Sequence, residues 1–340
     1  MQYLYVLTSD PGDIYYEQFL LSASSFRLKM PDAQLVLLCD NKTRETLTGK
    51  RSEFEKLVSS VITAEAPGNM VQVEVSRWLK TSMRRLVSGD FLFIDCDTII
   101  TEDLSAITEQ GMQFGACLDK HSLIDRHGKN DQIYKNNRLL GFTSHLSNRH
   151  FNSGVIFCAD TAETRRIFDR WHELWLFSNS KNIKRDQPAF NMAVYENLSL
   201  FTELDGVWNC QIAYNGLPYL TDSKIIHYFA SDLSLRVSPF ILASERIFNK
   251  TKNTGFIPDE ALDLLKKPRA AFAPESRIIA GDDMIYTVNS ALFESIYLLR
   301  KKNPALFNFI NRICLAGKKI TKSFIVSINK KKDGGIKYYN

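Results

Sequence analysis

Four consecutive apolar residues, Phe91-Leu92-Phe93-Ile94, run directly into Asp95-Cys96-Asp97-Thr98. In extended backbone, residues i and i+2 face the same side, so the two carboxylates project together from one strand end. Neighbouring carboxylates repel unless a cation holds them, and the carboxyl ends of parallel strands are where open α/β sheets receive ligands. A hard divalent metal carrying a phosphate meets both conditions. The plain structural alternative is one aspartate capping the next turn beside a solvated second.

Other residues offer complementary chemistry. Arg77 and Lys80 lie three apart on one face of a predicted helix, where they could neutralise a diphosphate or contact a sugar; Arg84 and Arg85 continue the run, as a solvated basic face would. Asn152 brings an amide able to hold sugar hydroxyls, and Ser153-Gly154 lets backbone approach a ligand, although the triplet also suits an ordinary turn. Asp186-Gln187 opens a predicted helix, where an aspartate is a plausible N-cap. His227 closes Lys224-Ile225-Ile226, a place where a lone histidine is commonly a satisfied strand-end residue.

The elements that must position these groups follow from the apolar pattern. Short runs at Tyr3–Leu7, Leu35–Leu38, Val61–Ile62 and Phe91–Ile94 alternate with amphipathic stretches at 14–30, 43–57 and 72–87. That alternation is the signature of βα units around a buried parallel sheet. Further strands are predicted at Phe114–Leu118, Gly154–Cys158 and Lys224–His227, with helices at 161–178 and 186–197. Past residue 240, Pro239, Pro258, Pro268 and Pro274 punctuate the pattern, and 276–302 reads as helical in pieces. We therefore expect an α/β catalytic domain over 1–240, a helical appendage over 241–302 and a basic tail over 303–340.

Taken together, Arg77-Trp78-Leu79-Lys80, Asp95-Cys96-Asp97, Phe151-Asn152-Ser153-Gly154-Val155, Asp186-Gln187 and Ile225-Ile226-His227 are a specific signal in their order and spacing. With them the stretch from about 1 to 235 resembles the retaining glycosyltransferases of family 8, which include glycogenin and bacterial lipopolysaccharide galactosyltransferases. The resemblance implies the GT-A fold, a Rossmann-like, mostly parallel central sheet flanked by helices. It also implies a UDP-hexose donor and manganese, with magnesium the alternative, held by Asp95, Asp97 and His227. An imidazole among oxygen ligands agrees with that preference. The family has a lysine at the position of Lys80, places Asn152 and Ser153 beside the donor sugar, and sets Asp186-Gln187 by the anomeric carbon. Thr8, Asp10 and Tyr15 match where it seats uracil and ribose, Tyr15 offering a ring to stack on the base.

Departures from the pattern are visible. Where family members commonly carry glycine and lysine after the histidine, this chain has Ala230 and Leu233, leaving Arg236, Arg77 or Lys80 to supply the diphosphate charge. Gln187 is too weak a base to be an evident nucleophile. A phosphatase of the haloacid dehalogenase type also carries two aspartates one residue apart after an apolar strand, but wants one more residue before its threonine than Thr98 allows. A nucleotide-sugar-binding protein without turnover is a further alternative.

Composition bounds the setting. At 340 residues, 44% hydrophobic and 24% charged, the chain is an ordinary globular one. Its net charge of +5 conceals an asymmetry: residues 298–340 hold 11 Lys/Arg against one Asp, a local +10, which leaves residues 1–297 at −5. The body offers no nucleic-acid footprint. Asn303-Pro304 predicts a helix start, with Leu306, Ile310, Ile313, Ile320, Phe324 and Ile328 on one face and Arg312, Lys319, Lys322 and Lys330 opposite. Such a tail suits either packing on the domain or an anionic membrane surface, where a lipid-linked glycan acceptor would lie. Six cysteines without a CxxC pair, no leader-like start and no long apolar run lead us to expect a cytoplasmic protein, peripheral at most.

Overall fold

The computed structural model describes residues 1–229, 240–272 and 290–315. They fall into two units, the first ending at Ile279 and the second beginning at Ala280. In the first unit a seven-stranded sheet has the order β3-β2-β1-β4-β7-β6-β8. Its strands are β1 (Gln2–Leu7), β2 (Leu35–Asp40), β3 (Ser60–Ala64), β4 (Phe91–Ile94), β6 (Phe114–Leu118), β7 (Phe151–Cys158) and β8 (Phe201–Glu203). β5 (Thr98–Ile100), β9 (Cys210–Gln211) and β10 (Ile225–His227) make a second, three-stranded sheet. The first four strands of the large sheet pair in parallel, and β7 runs against both β4 and β6.

The strands read as continuous apolar runs because both faces of the sheet are covered. Alternate residues serve two cores: Tyr3, Tyr5, Leu35, Leu37, Leu92 and Ile94 face one, while Leu4, Val36, Leu38, Phe91 and Phe93 face the other. On the second face lie α3 (Gln72–Leu86), α5 (Ala162–Ser180) and α6 (Gln187–Tyr195). α3 contributes Val75, Leu79 and Met83, one residue per turn, which fixes the rotation of the helix that carries Arg77 and Lys80. The first face takes α1 (Tyr15–Lys29), whose Tyr16, Phe19, Leu20, Ala23 and Phe26 are all buried.

Two expectations are corrected. The stretch 43–57 is not one helix: α2 (Asn41–Thr46) stops before Gly49, whose φ of +57° suits a left-handed turn, and two short 3-10 turns follow. Arg84, read as part of a solvated basic face, is 1% exposed. Its guanidinium donates to the carbonyls of Val87 and Gly89 and pairs with Asp160 at 3.4 Å, whereas Arg85 stays on the surface against Asp169.

The division expected at residue 240 falls inside the first unit. α7 (Glu245–Thr254) and α8 (Asp259–Lys266) contribute Ile247, Phe248, Ala261 and Leu265 to the core that buries α1. Between 230 and 239 lie Ala230, Leu233 and Arg236, outside the described residues. The second unit has α9 (Ala291–Lys302) and a further helix over 304–315. Asn303 caps the latter, its Oδ1 accepting from the Leu306 amide at 3.0 Å, as the Asn-Pro pair predicts. Leu306, Ile310 and Ile313 are on this helix; Ile320, Phe324, Ile328, Lys319, Lys322 and Lys330 lie outside the described residues. Among the described residues no helix is long and apolar enough to cross a membrane.

Candidate active site

β4 delivers the aspartates to the carboxyl end of the parallel strands. The Asp95 amide extends the β4–β7 ladder by donating to the Gly154 carbonyl at 2.8 Å, and the chain then turns, with Thr98 Oγ1 donating to the Asp95 carbonyl at 2.8 Å. Cys96 Sγ reaches the Val6 carbonyl at 3.4 Å, tying the turn to the end of β1. The small sheet supplies the histidine. β10 pairs antiparallel with β5 so that His227 stands opposite Thr98, and the Tyr228 amide donates to the Asp97 carbonyl at 3.1 Å. One ligand atom from each of Asp95, Asp97 and His227 then lies within 4.8 Å of the others. His227 Nε2 is 3.2 Å from Asp97 Oδ1.

The residues fit a cation. Two carboxylates and an imidazole converge here, the donor set of a hard or borderline divalent ion. A Cβ added at Gly154 would come within 2.5 Å of His227 Cε1 and 2.8 Å of both Asp95 Oδ2 and Asn152 Oδ1. Glycine is therefore required there by close approach. Burial and the neighbouring Asp97 push the Asp95 carboxyl up, with Lys80 opposing them. Burial acts on Asp97 the same way, but His227, a backbone hydrogen bond and Lys80 together carry the net direction down.

A second cluster adjoins the first. Lys80 is buried with its Nζ 3.3 Å from Asp95 Oδ1 and 3.7 Å from Asp186 Oδ2, while Arg77 Nε lies 3.1 Å from Asp186 Oδ1. Ser153 Oγ donates to Asp186 Oδ2 at 2.8 Å. Asp186 precedes α6 but does not cap it with its side chain; the carboxylate turns instead to these partners. Burial pushes the Asp186 carboxyl up, and Lys80, Arg77 and the Ser153 hydroxyl together carry it below the usual range. Gln187 opens α6 half-buried beside it.

The N-terminal loop is held at the same strand ends by other contacts. Gln72, the first residue of α3, donates to Asp13 Oδ2 at 2.7 Å and to the Thr8 carbonyl at 3.4 Å. The Asp10 carboxylate accepts from the Gly12 amide within its own turn, and Tyr15 is exposed at the start of α1. Thr8 is buried.

Sequence reasoning missed three participants. Asp119 accepts from Asn152 Nδ2 at 2.8 Å and from His127 Nε2 at 2.9 Å; Asn209 bonds both Asn152 and His227; Phe229, at φ +49°, stacks on His227 with centroids 3.9 Å apart. Asp119 was findable, because it follows the apolar run Phe114–Leu118 just as Asp95 follows Phe91–Ile94.

Residues 88–232 match the family model described as glycosyl transferase family 8. This segment is similar to the family 8 glycosyltransferases. That segment spans β4 to β10 and so contains the Asp95-Cys96-Asp97, Asn152-Ser153, Asp186-Gln187 and His227 positions, and it sets aside the phosphatase reading of the two aspartates. The match supports a glycosyltransferase, and the mixed α/β sheet flanked by helices agrees with the GT-A fold expected of that family. No curated protein sequence matches the chain. Solved structures similar to this glycosyltransferase include mouse xyloside xylosyltransferase 1 in its apo form, at 14% identity and a TM-score of 0.46, covering 66% of this chain and 96% of that one. The galactosyltransferase LgtC in complex with donor and acceptor sugar analogs gives 14% and 0.48, covering 77% and 99%. The bifunctional glycosyltransferase WbbM gives 15% and 0.47, covering 67% of this chain and 45% of its own length.

Proposed function

We propose that this glycosyltransferase uses manganese, with magnesium as the alternative ion, to move a hexose of the glucose or galactose type from a UDP-sugar to a carbohydrate hydroxyl with retention. The observation that carries the reading is the convergence of Asp95, Asp97 and His227 beside a required glycine. These three residues would hold the ion, which when bound neutralises the departing diphosphate. The imidazole favours manganese over magnesium.

The remaining residues act on the sugar. Lys80 and Arg77 add positive charge next to the diphosphate and fix the Asp186 carboxylate, which stands ready to stabilise positive charge developing at the anomeric carbon. Ser153 holds the second oxygen of that carboxylate, and Asn152 and Gln187 orient sugar hydroxyls. Thr8, Asp10 and Tyr15 would receive the uridine. The acceptor is a glycan, lipid-linked in bacterial surface-glycan or lipopolysaccharide assembly, and the enzyme works at the cytoplasmic membrane face.

A hydrolysis screen over UDP-, GDP- and dTDP-sugars tests the donor. Turnover of UDP-glucose or UDP-galactose, abolished by chelation and restored by manganese, is the expected result; hydrolysis indifferent to chelation counts against the reading, and UDP-sugar binding without turnover favours a binding protein. The membrane part rests on the +10 charge of residues 298–340, since each basic residue near an anionic bilayer contributes about 1 kcal/mol. Full-length protein is expected to sediment with anionic liposomes at low salt and less at high salt, while a chain truncated after residue 302 stays in the supernatant and still hydrolyses donor. An intact chain that ignores liposomes would remove the membrane surface from the proposal.

A further inference from the structure

Behind the carboxylate–histidine cluster runs a line of buried amides whose direction can be worked out from hydrogen-bond chemistry. An ionised carboxylate accepts only, so the Asn152 atom 2.8 Å from Asp119 Oδ1 is the amide nitrogen. The Gly154 backbone N–H donates only, and it meets Asn152 Oδ1 at 2.9 Å, which fixes the same orientation from the other end. Asn209 must then present its nitrogen to Asn152 Oδ1, at 3.0 Å, and its oxygen is left facing His227 Nδ1 at 2.9 Å. That nitrogen must carry a proton to make the bond. With Nδ1 so committed, Nε2 is the nitrogen left for a cation; it lies 3.2 Å from Asp97 Oδ1, a carboxylate it can face in the metal-free protein only with a proton of its own.

The far end is anchored in the same way. The Lys129 amide donates to His127 Nδ1 at 3.0 Å, so the His127 proton sits on Nε2, which donates to Asp119 Oδ2 at 2.9 Å. Both oxygens of Asp119 are thus engaged by donors. His127, Asp119, Asn152, Asn209 and His227 are all buried, which makes a reversed or broken link costly.

We infer that Asp119, Asn152 and Asn209 form a one-way hydrogen-bond chain, held by His127, that keeps a proton on His227 Nδ1 and so reserves Nε2 for the cation. The inference rests on the reading of Asp95, Asp97 and His227 as metal ligands. It makes Asp119, Asn209 and His127 positioning residues for a ligand contributed more than 100 positions later than Asp119 in the chain, about as outer partners of metal-bound histidines act elsewhere.

Histidine-selective 15N spectra of the metal-free, full-length protein read the tautomer directly, and loss of the free-ion manganese EPR signal reads affinity. Wild type is expected to keep His227 Nδ1 protonated, with Nε2 the nitrogen that loses its proton when the ring becomes neutral. Asn209→Ala is expected to give a tautomer mixture and manganese binding weaker by about 10- to 100-fold. Asp119→Asn is isosteric and can offer either nitrogen or oxygen to Asn152, so it should move both readouts the same way and carries the comparison if Asn209→Ala fails to fold. His127→Gln keeps a donor toward Asp119 and is expected to preserve both readouts. A neutral ring protonated on Nε2 in wild type, or tautomer and affinity unchanged in folded Asn209→Ala and Asp119→Asn, overturns the chain. Wild type that holds Nδ1–H yet binds no manganese supports the chain and overturns the metal reading instead.

Discussion

Half-buried Asp95 and buried Asp186 lie within reach of the same lysine, yet one carboxyl is raised and the other lowered. Around Asp186 stand Lys80, Arg77 and the Ser153 hydroxyl, more than enough to offset desolvation. Around Asp95 stands a second carboxylate, and the shared lysine is insufficient. Around Asp186, the side proposed to face the sugar, positive charge outweighs desolvation; at Asp95, on the side proposed to face the diphosphate, it does not. Like-charged groups held together at a cost in the free protein are what a cation would relieve on binding.

The sharpest way to break that contrast is Asp97→Asn. Removing one of two crowded carboxylates takes away a metal ligand but also a repulsion, so the metal-free protein should be as stable as wild type or slightly more so. Transfer should fall on the order of 10³-fold or more, the equivalent of several kcal/mol of transition-state stabilisation. Manganese-dependent UDP affinity measured by calorimetry should collapse; if it is unchanged, the diphosphate side is not a metal site.

The opposite sign is expected from Asp186→Asn. Here neutralisation leaves the buried Lys80 and the partly buried Arg77 with one acid fewer, a loss of about 1–3 kcal/mol in denaturant unfolding. Turnover should fall about 10²-fold through kcat, with donor KM little changed, because the carboxylate would act on charge that develops in the reaction. A variant as stable as wild type would mean that the two sides are not differently balanced.

His227→Ala sharpens the diphosphate side alone. It weakens a metal site without deleting either carboxylate, so excess manganese should restore a measurable part of activity. A variant with normal metal affinity and no turnover would point to proton transfer by His227 instead.

How much of this could be read from the chain depended on how local the cause was. Asp95 and Asp97 were legible because a strand end and an i, i+2 relation need only four neighbouring residues. His227 was legible as a ligand only through its place in a family order, since its approach to Asp97 depends on β10 pairing with β5 more than 120 positions away. Asn209 left no local mark at all: an asparagine after a tryptophan acquires its role from the distant partners Asn152 and His227. The burial of α1 by α7 and α8 was hidden for a related reason. Prolines punctuate the later segment, and nothing in 241–266 announces which surface its apolar residues Ile247, Phe248 and Leu265 must cover.

The smallest effect concerns what supports the balanced side from behind. α3, which carries Arg77 and Lys80, is backed by His172 of α5, whose Nδ1 lies 2.7 Å from Thr81 Oγ1 and 3.4 Å from Ser82 Oγ, between the rings of Trp78 and Trp175. Burial, assisted by Arg85 and opposed by Asp169, lowers His172 to about 4. His121 and His150 are likewise brought down to about 4, chiefly by burial. Because these folded-state values lie below the ordinary 6.5, the unfolded chain takes up protons first as pH falls. Stability should therefore decline between pH 6.5 and 4 and level off below, each such histidine contributing a slope of up to about 1.4 kcal/mol per pH unit. His172→Gln keeps a hydrogen-bonding group toward Thr81 but removes the titration, so its urea-derived stability should fall less steeply with acid than that of wild type across that window. Parallel curves for the two proteins would show that His172 does not stay neutral behind α3, and that the support of Arg77 and Lys80 is insensitive to acid.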